Sequence, residues 1–417
     1  MCGIAGIFDT RGDEIPSADL IGHMTDAILH RGPDESGIHC EPGLALGHRR
    51  LSIIDIASGQ QPLFNEDRSV AIVFNGEVYN FGELRPELEA LGFRFRTHSD
   101  TEVILHAWQA WGSGCVQRLR GMFAFAIWDK KRRHLFLARD RLGIKPLYYA
   151  LLPNGHFLFG SELKALLPHP RLPRARDPLA IEDYFAYGYI PEPRTIYSDV
   201  HKLPPGHTLL IEKGQTTLPR TSQYWDVPFH DNGSASQAGA ERELIERLRE
   251  AVDIRLVAEV PLGAFLSGGV DSSAIVALMA ELMDQPVKTC AIGFDVAAFD
   301  ETGYARQVAE RYRTDHQTDT VKADDFELLD RLGWLYDEPF ADSSAMPTYR
   351  VCEAARKRVT VALSGDGGDE NLAGYRRYRM HLAEERLRGR LPLALRRPLF
   401  GALGALYPKA DWAPRVL

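Results

Sequence analysis

Cysteine is scarce in this sequence and never paired. The five cysteines, Cys2, Cys40, Cys115, Cys290 and Cys352, are odd in number, widely spaced and form no C-x-x-C. That pattern argues against a disulfide framework or a zinc ribbon and points to a reducing cytoplasm. Positive charge is also in deficit: 49 Lys and Arg stand against 57 Asp and Glu, a formal net charge of −8. Nucleic-acid and membrane-surface binders need clustered Lys and Arg, so neither partner is expected. The one basic run, from Arg376 to Arg397, is broken by Glu384 and Glu385 and reads as a solvated helix face. No apolar run approaches a membrane span. The apolar start at 1–8 has no basic flank and meets Asp9 at once, unlike a signal peptide. Internal repeats, low-complexity tracts and a G-x-x-x-x-G-K-[ST] phosphate loop are all missing.

What remains is a chain of 417 residues with a 25% charged fraction, ordinary for a globular protein and comfortable for two domains. The first half carries short apolar or alternating runs at 4–8, 44–48, 70–75, 123–129, 134–139 and 157–160, bounded by turn residues. Helical periodicity appears between them at 101–111. Packed sheets with helices outside them are therefore expected. From Gln215 to Gly239 the sequence turns polar, with Pro219, Pro228 and an Asn232-Gly233-Ser234 run. The expected division is one domain at 1–210, a linker at 211–240 and a second domain at 241–417. In that second domain, strand candidates at 261–266, 290–294 and 359–363 alternate with helix candidates at 273–283 and 302–312. Alternation of this kind predicts an α/β, doubly wound parallel sheet, with ligands at the C-terminal strand ends.

Two groups of residues carry chemistry. Loss of Met1 would leave Cys2 with a free α-amine. Such an amine and thiol ordinarily titrate at about 8 and 8.5, so one residue can supply both base and nucleophile. Further on, Ser267-Gly268-Gly269-Val270-Asp271-Ser272-Ser273 follows a strand and opens a helix. Backbone N–H groups at a helix start, with three hydroxyls, make an anion cradle. An aspartate in a phosphate loop makes sense with a cation beside it, so Mg²⁺ is implied at Asp271. Taken alone, Asn75-Gly76 would be a hairpin turn and Gly268-Gly269 a turn before a helix cap.

The motifs do not stand alone. Cys2-Gly3-Ile4-Ala5-Gly6, His30-Arg31-Gly32-Pro33-Asp34, Arg50-Leu51-Ser52-Ile53-Ile54, Asn75-Gly76-Glu77, Ser99-Asp100, Arg120-Gly121-Met122-Phe123 and Arg139-Asp140-Arg141-Leu142-Gly143 occur in that order. Together they resemble class II glutamine amidotransferases, which have the N-terminal nucleophile hydrolase fold, an αββα sandwich. The resemblance implies that Cys2 attacks glutamine and that Arg50 clamps its α-carboxylate. Ile53 and Ile54 would line the pocket, and Asp100 with Glu77 would meet its ammonium. The Asn75 amide and the Gly76 N–H would form the oxyanion hole. Arg31 and Asp34 are expected as a structural ion pair beneath the pocket.

The 267–273 loop resembles the PP-loop of enzymes that cleave ATP to AMP and pyrophosphate. A second turn, Ser364-Gly365-Asp366-Gly367-Gly368-Asp369-Glu370, extends the resemblance to glutamine-hydrolysing asparagine synthetases over residues 1 to about 380. By that resemblance Leu266, Ser267, Gly268, Gly269, Asp271, Ser272, Ser273, Ile292, Ser364 and Gly365 would bind ATP. Asp366 would serve adenylate formation, Asp271 and Asp369 would hold Mg²⁺, and the acceptor carboxylate, aspartate by default, would approach near Asp337-Glu338-Pro339. A homodimer is left open. Two departures stand out. Where the family reads Leu/Val-Phe-Gly-Gly-Tyr, this chain has Asn371-Leu372-Ala373-Gly374-Tyr375. The family's later Gly-x-Glu-x-Arg-x-Pro-Phe-Leu-Asp-type stretch and its phosphate lysine are also not found, so the second domain is expected to be incomplete. Three readings follow: a coupled amidotransferase for aspartate or another acceptor, a glutaminase with a regulatory nucleotide domain, and a non-enzymatic assembly module.

Overall fold

In the first half, period-two alternation buries both faces of each central strand. On Gly121–Asp129, Phe123, Phe125 and Ile127 enter one core while Ala124, Ala126 and Trp128 enter another. Val70–Val78 divides likewise, Ile72 and Phe74 to one side, Ala71 and Val73 to the other. A strand apolar on both faces needs a cover on each. The computed structural model, which describes residues 2–229, 236–294, 300–321 and 326–406, supplies both covers. Two six-stranded antiparallel sheets stack face to face. One runs, edge to edge, His201–Lys202, Tyr148–Leu151, His156–Gly160, Gly3–Asp9, Leu44–Arg50, Glu35–Glu41. The other runs Ser222–Gln223, His207–Glu212, His134–Arg139, Gly121–Asp129, Val70–Val78, Leu63–Phe64. Helix Ala18–Asp26 covers the outer face of the first, and helices Phe81–Ala90 and Asp100–Trp111 cover the second. This is the expected αββα sandwich. The rings of Phe8, Phe123, Phe125, Phe157 and Phe159 are fully enclosed, each contributing on the order of 2 kcal/mol of burial.

The second half holds a four-stranded parallel sheet ordered Asp315–Val321, Lys288–Phe294, Leu262–Phe265, Val361–Leu363. Helices Gln237–Asp253, Val270–Leu282 and Thr302–Tyr312 bring Val252, Val276, Met279, Ala305 and Ala309 to one face. Helix Ala345–Arg356 puts Ala355 against Cys290 on the other. The sheet is thus doubly wound, as the alternation predicts. The edge strand Asp315–Val321 is not among the expected elements: its sequence DHQTDTV has no apolar alternation, and continuous pairing with Lys288–Phe294 holds it. The polar stretch 215–239 contains the short strand Ser222–Gln223 and the start of helix Gln237–Asp253, capped by the Ser236 hydroxyl; residues 230–235 of the expected linker lie outside the described residues.

The halves touch through specific polar contacts. Lys164 Nζ meets Asp337 Oδ1 at 2.9 Å, and Lys202 Nζ meets Glu338 Oε2 at 2.7 Å. Arg120 pairs with Glu250, and Arg255 lies 4.4 Å over the Tyr79 ring.

Candidate active site

One pocket gathers the residues of the first half that are expected to meet glutamine. Cys2, Arg50, Ile53, Ile54, Asn75, Gly76, Glu77 and Asp100 all line it. Cys2 enters the pocket lining immediately before strand Gly3–Asp9, and Val70–Val78 carries Asn75-Gly76-Glu77 past it. Ser99 caps helix Asp100–Trp111 by accepting from Glu102 N, which presents Asp100 at the helix N-terminus. Asn75-Gly76 is therefore no hairpin turn; it lies within a strand paired to Ala124 and Phe123. A Cβ on Gly76 would collide with the Met122 carbonyl, so only glycine lets the strand pass here.

Asn75 is the most telling residue. Its side chain is 0% exposed, yet neither Oδ1 nor Nδ2 has a hydrogen-bond partner. Buried amides are almost always satisfied, so an orphan facing a pocket is poised for a ligand. Cys2 Sγ sits 3.4 Å from Leu51 N and 3.6 Å from Leu51 O. Burial pushes its thiol up, opposed by the Leu51 amide, so an ionising base is needed. Burial raises Glu77 to about 7, with Asp100 adding to the shift, and burial raises Asp100 to about 6 despite the Val78 N–H it accepts. Two carboxyls side by side, both raised by burial, suit an incoming ammonium that would restore their charge.

Arg50 lines the pocket, but its fork is already engaged. Nη1 reaches Glu35 Oε2 and Ile56 O, and Nη2 reaches Ile54 O and Asp55 O. Arg31 and Asp34 do not pair with each other. Arg31 Nη1 is drawn to the buried Glu162 Oε1 at 2.6 Å and its Nε to the Cys2 carbonyl at 2.9 Å, while Asp34 accepts from Ser52 N. Both still brace the pocket wall. Gln61 and Lys145 are among the lining residues that the motifs do not point to. Gln61 bridges Phe74 N and Thr101 Oγ1. Lys145 is 2% exposed, and burial with the nearby Arg31 charge lowers it to about 8. Its one local signal is a lysine inside the apolar run 144–149.

In the second half the two glycine-rich turns meet. Leu266 N donates to Cys290 O, which sets the strand end from which the 267–273 loop departs. Ser267 Oγ lies 3.0 Å from Ser272 Oγ, and Ser273 Oγ donates to Gly269 O. Gly268 has φ +84 and abuts Tyr304 and Ala305, so a side chain there would be strained and blocked. A Cβ on Gly365 would strike Ser272 N and Asp271, and one on Gly368 would strike the Asp271 carboxylate. Asp271 of the first turn thus packs directly against the second. Ser364 Oγ donates to Asp366 Oδ2 at 2.9 Å. Ile292 lies in the adjacent strand Lys288–Phe294. Asp369 packs its carboxylate against Gly374. Ala373 adopts φ +55, the left-handed conformation that the family's usual glycine would take at lower cost.

Among the described residues no cluster of three or more His, Cys, Asp or Glu could hold a metal. Asp271 is nonetheless a hard oxygen donor in a cradle that any Cβ at 365 or 368 would fill, which suits Mg²⁺ completed by phosphate oxygens and water. Asp337 and Glu338, expected where an acceptor would approach, are paired with Lys164 and Lys202. No helix of the described residues is long and apolar enough to cross a membrane.

The glutamine amidotransferase domain family matches residues 1–225, and the asparagine synthase family matches residues 243–415. The chain is 41% identical over 402 residues to "Putative asparagine synthetase [glutamine-hydrolyzing] 2" of Methanocaldococcus jannaschii, covering 90% of this chain and 76% of that one. It is 38% identical over 406 residues to "Asparagine synthetase [glutamine-hydrolyzing] 1" of Bacillus subtilis, covering 96% of this chain and 62% of that one. "Amidase chyE" of Penicillium rubens is 34% identical over 390 residues, with coverages of 88% and 56%. The chain therefore spans three quarters of one of these relatives and less than two thirds of the other two.

Proposed function

The chain belongs to the glutamine-hydrolysing asparagine synthetase family, and from that premise we propose a glutamine- and ATP-dependent amidotransferase that converts aspartate to asparagine. The observation that carries the reading is the orphan Asn75 amide, buried in the same pocket as Cys2. Glutamine enters with its ammonium toward Asp100 and Glu77 and its carboxylate toward Arg50. The free amine of Cys2 takes the thiol proton, and Sγ attacks the side-chain carbonyl carbon. Negative charge then builds on the carbonyl oxygen, where Asn75 Nδ2 and the Gly76 N–H donate to it. The C–N bond breaks with a proton passing to nitrogen, releasing ammonia and leaving a thioester. Water cleaves the thioester to glutamate.

In the second half, N–H groups and hydroxyls of Ser267, Gly268, Gly269, Ser272 and Ser273 cradle the ATP phosphates. Leu266, Ile292, Ser364 and Gly365 border the rest of the nucleotide. Asp271 and Asp369 would hold Mg²⁺, which when bound neutralises phosphate charge. The acceptor carboxylate displaces pyrophosphate at the α-phosphorus, Asp366 assists, and ammonia then displaces AMP to give the amide. We place the enzyme in a reducing cytoplasm, a reading supported by its five unpaired cysteines; a homodimer is compatible with it.

A different acceptor carboxylate is the second reading, because the relatives' names span asparagine synthetases and an amidase. The test is incubation with glutamine, ATP, Mg²⁺ and aspartate, measuring glutamate, AMP and asparagine separately. Equal yields of all three support the proposal. Glutamate and AMP without asparagine would mean that aspartate is adenylated and the adenylate lost to water. Glutamate without AMP overturns aspartate as the acceptor, and adding other carboxylates then separates a different acceptor from a bare glutaminase.

A further inference from the structure

The glutamine pocket is not finished by its own domain. Its wall at 53–56 is a short loop gripped from both sides. From within, Arg50 donates to the Ile54, Asp55 and Ile56 carbonyls. From without, Glu259 takes the opposite edge: Oε1 accepts from Asp55 N at 2.9 Å and Oε2 from Ile56 N at 3.3 Å. The Glu259 main-chain N–H adds a bond to Ile53 O at 3.0 Å. Asp55 sits at φ +51, a conformation that an L-residue avoids unless its surroundings hold it. Glu259 belongs to the second half, two residues before Pro261, where the strand Leu262–Phe265 leads to the Ser267 cradle.

We propose that Glu259 is a positioning residue for glutamine, lent by the nucleotide-binding half to the glutaminase. It touches no substrate atom. It fixes the backbone that carries Ile53 and Ile54 and that holds the Arg50 guanidinium in place. A carboxylate is required because two N–H groups converge on it; an amide would turn its own NH₂ against one of them. The loop then relaxes, Arg50 loses its carbonyl seats, and glutamine is bound less tightly. The reacting atoms around Cys2 and Asn75 lie on other strands, so turnover is spared.

This inference rests on the glutamine-binding reading, and the test separates the two. Glutamine affinity is measured calorimetrically on Cys2→Ala, which binds without reacting, and on Cys2→Ala with Glu259→Gln. The loss of one charge-assisted hydrogen bond predicts about a tenfold weaker Kd in the double variant. With Cys2 restored, Glu259→Gln should raise glutamine KM by about the same factor while kcat stays within about twofold. Glu250→Gln is the control, because Glu250 bonds Arg120 between the same two halves and neither residue lines the pocket; its KM should match wild type. If Cys2→Ala binds no glutamine, the functional reading itself falls, and the clamp with it. If it binds glutamine and Glu259→Gln binds equally well, only the clamp falls. Equal KM increases in Glu250→Gln and Glu259→Gln would reduce Glu259 to a general interdomain contact and overturn its assignment.

Discussion

The two halves prepare their ligands in opposite ways. In the first, Asn75, Arg50 and Asp100 are buried and held by strands or a capped helix before any ligand arrives. In the second, Val270 at the cradle's helix start is 85% exposed, and the turn at 364–370 has no fully buried residue. A site that must stabilise a developing oxyanion gains from donors fixed in advance. A site that receives a polyphosphate with its cation leaves charge neutralisation to the ligand, so its protein walls can stay open. The contrast also locates the cost. The orphan Asn75 amide and the buried carboxyls of Glu77 and Asp100 are destabilising features that the packed sandwich around them sustains.

Breaking the first site should therefore be near all-or-none. Cys2→Ala should abolish glutamate production while Mg²⁺–ATP binding, measured by titration, keeps its wild-type Kd. Residual glutaminase activity in that variant would remove Cys2 as nucleophile. Asn75→Ala should follow with a loss in glutaminase kcat of about 10²–10³-fold, the usual effect of one oxyanion donor. Its melting temperature should not fall, because the replaced amide has no partner to lose. A wild-type kcat in Asn75→Ala would make the residue a mere strand position.

The second site should respond more gradually. Asp271→Asn keeps the shape between Gly365 and Gly368 but removes the charge. It should slow Mg²⁺-dependent ATP–pyrophosphate exchange by about 10–100-fold, a loss on the scale of one charge contact to a phosphoryl group, and raised Mg²⁺ should recover part of it. Glutamine hydrolysis in the same variant should be unchanged. An exchange rate insensitive to Asp271→Asn would take the cation away from this residue.

Sequence makes the strand and motif positions of both sites legible, because alternation and glycine-rich turns are local signals. What escapes it are features made by distant partners. Asp315–Val321 has no apolar pattern of its own and becomes a strand only by pairing with Lys288–Phe294. Arg31 reads locally as a partner of Asp34, three residues away, but Glu162 is the buried acid that captures it, from 131 positions along the chain. By resemblance Asp337 and Glu338 lie where an acceptor would approach, and nothing in that segment announces their partners Lys164 and Lys202. Glu259 gives no signal in its own segment, since its role depends on amides two hundred residues earlier. Local chemistry is written in short strings; which charge meets which is decided by topology.

The smallest expected effect is the most diagnostic of how the first pocket works. Burial raises Glu77 from 4.5 to about 7 and Asp100 from 3.8 to about 6. Between the unfolded and folded values the native state holds protons that the unfolded chain has released. Unliganded stability therefore falls as pH rises across that window. Glutamine binding has the opposite sign, because its ammonium needs the carboxylates ionised. Consequently kcat/KM for glutamine should climb with pH, its acid limb belonging to the pair rather than to either group. Glutamine should also raise the melting temperature more at pH 8 than at pH 5.5. In Glu77→Gln the upper titration is gone, and Asp100 loses a like-charged neighbour. The acid limb should then move down by roughly one pH unit, while the plateau drops only a few-fold because one ammonium partner remains. The measurement is a pH series of kcat/KM for wild type and Glu77→Gln. A limb that stays in place in the variant would mean that Glu77 does not face the substrate and that the rise belongs to ionisation at Cys2.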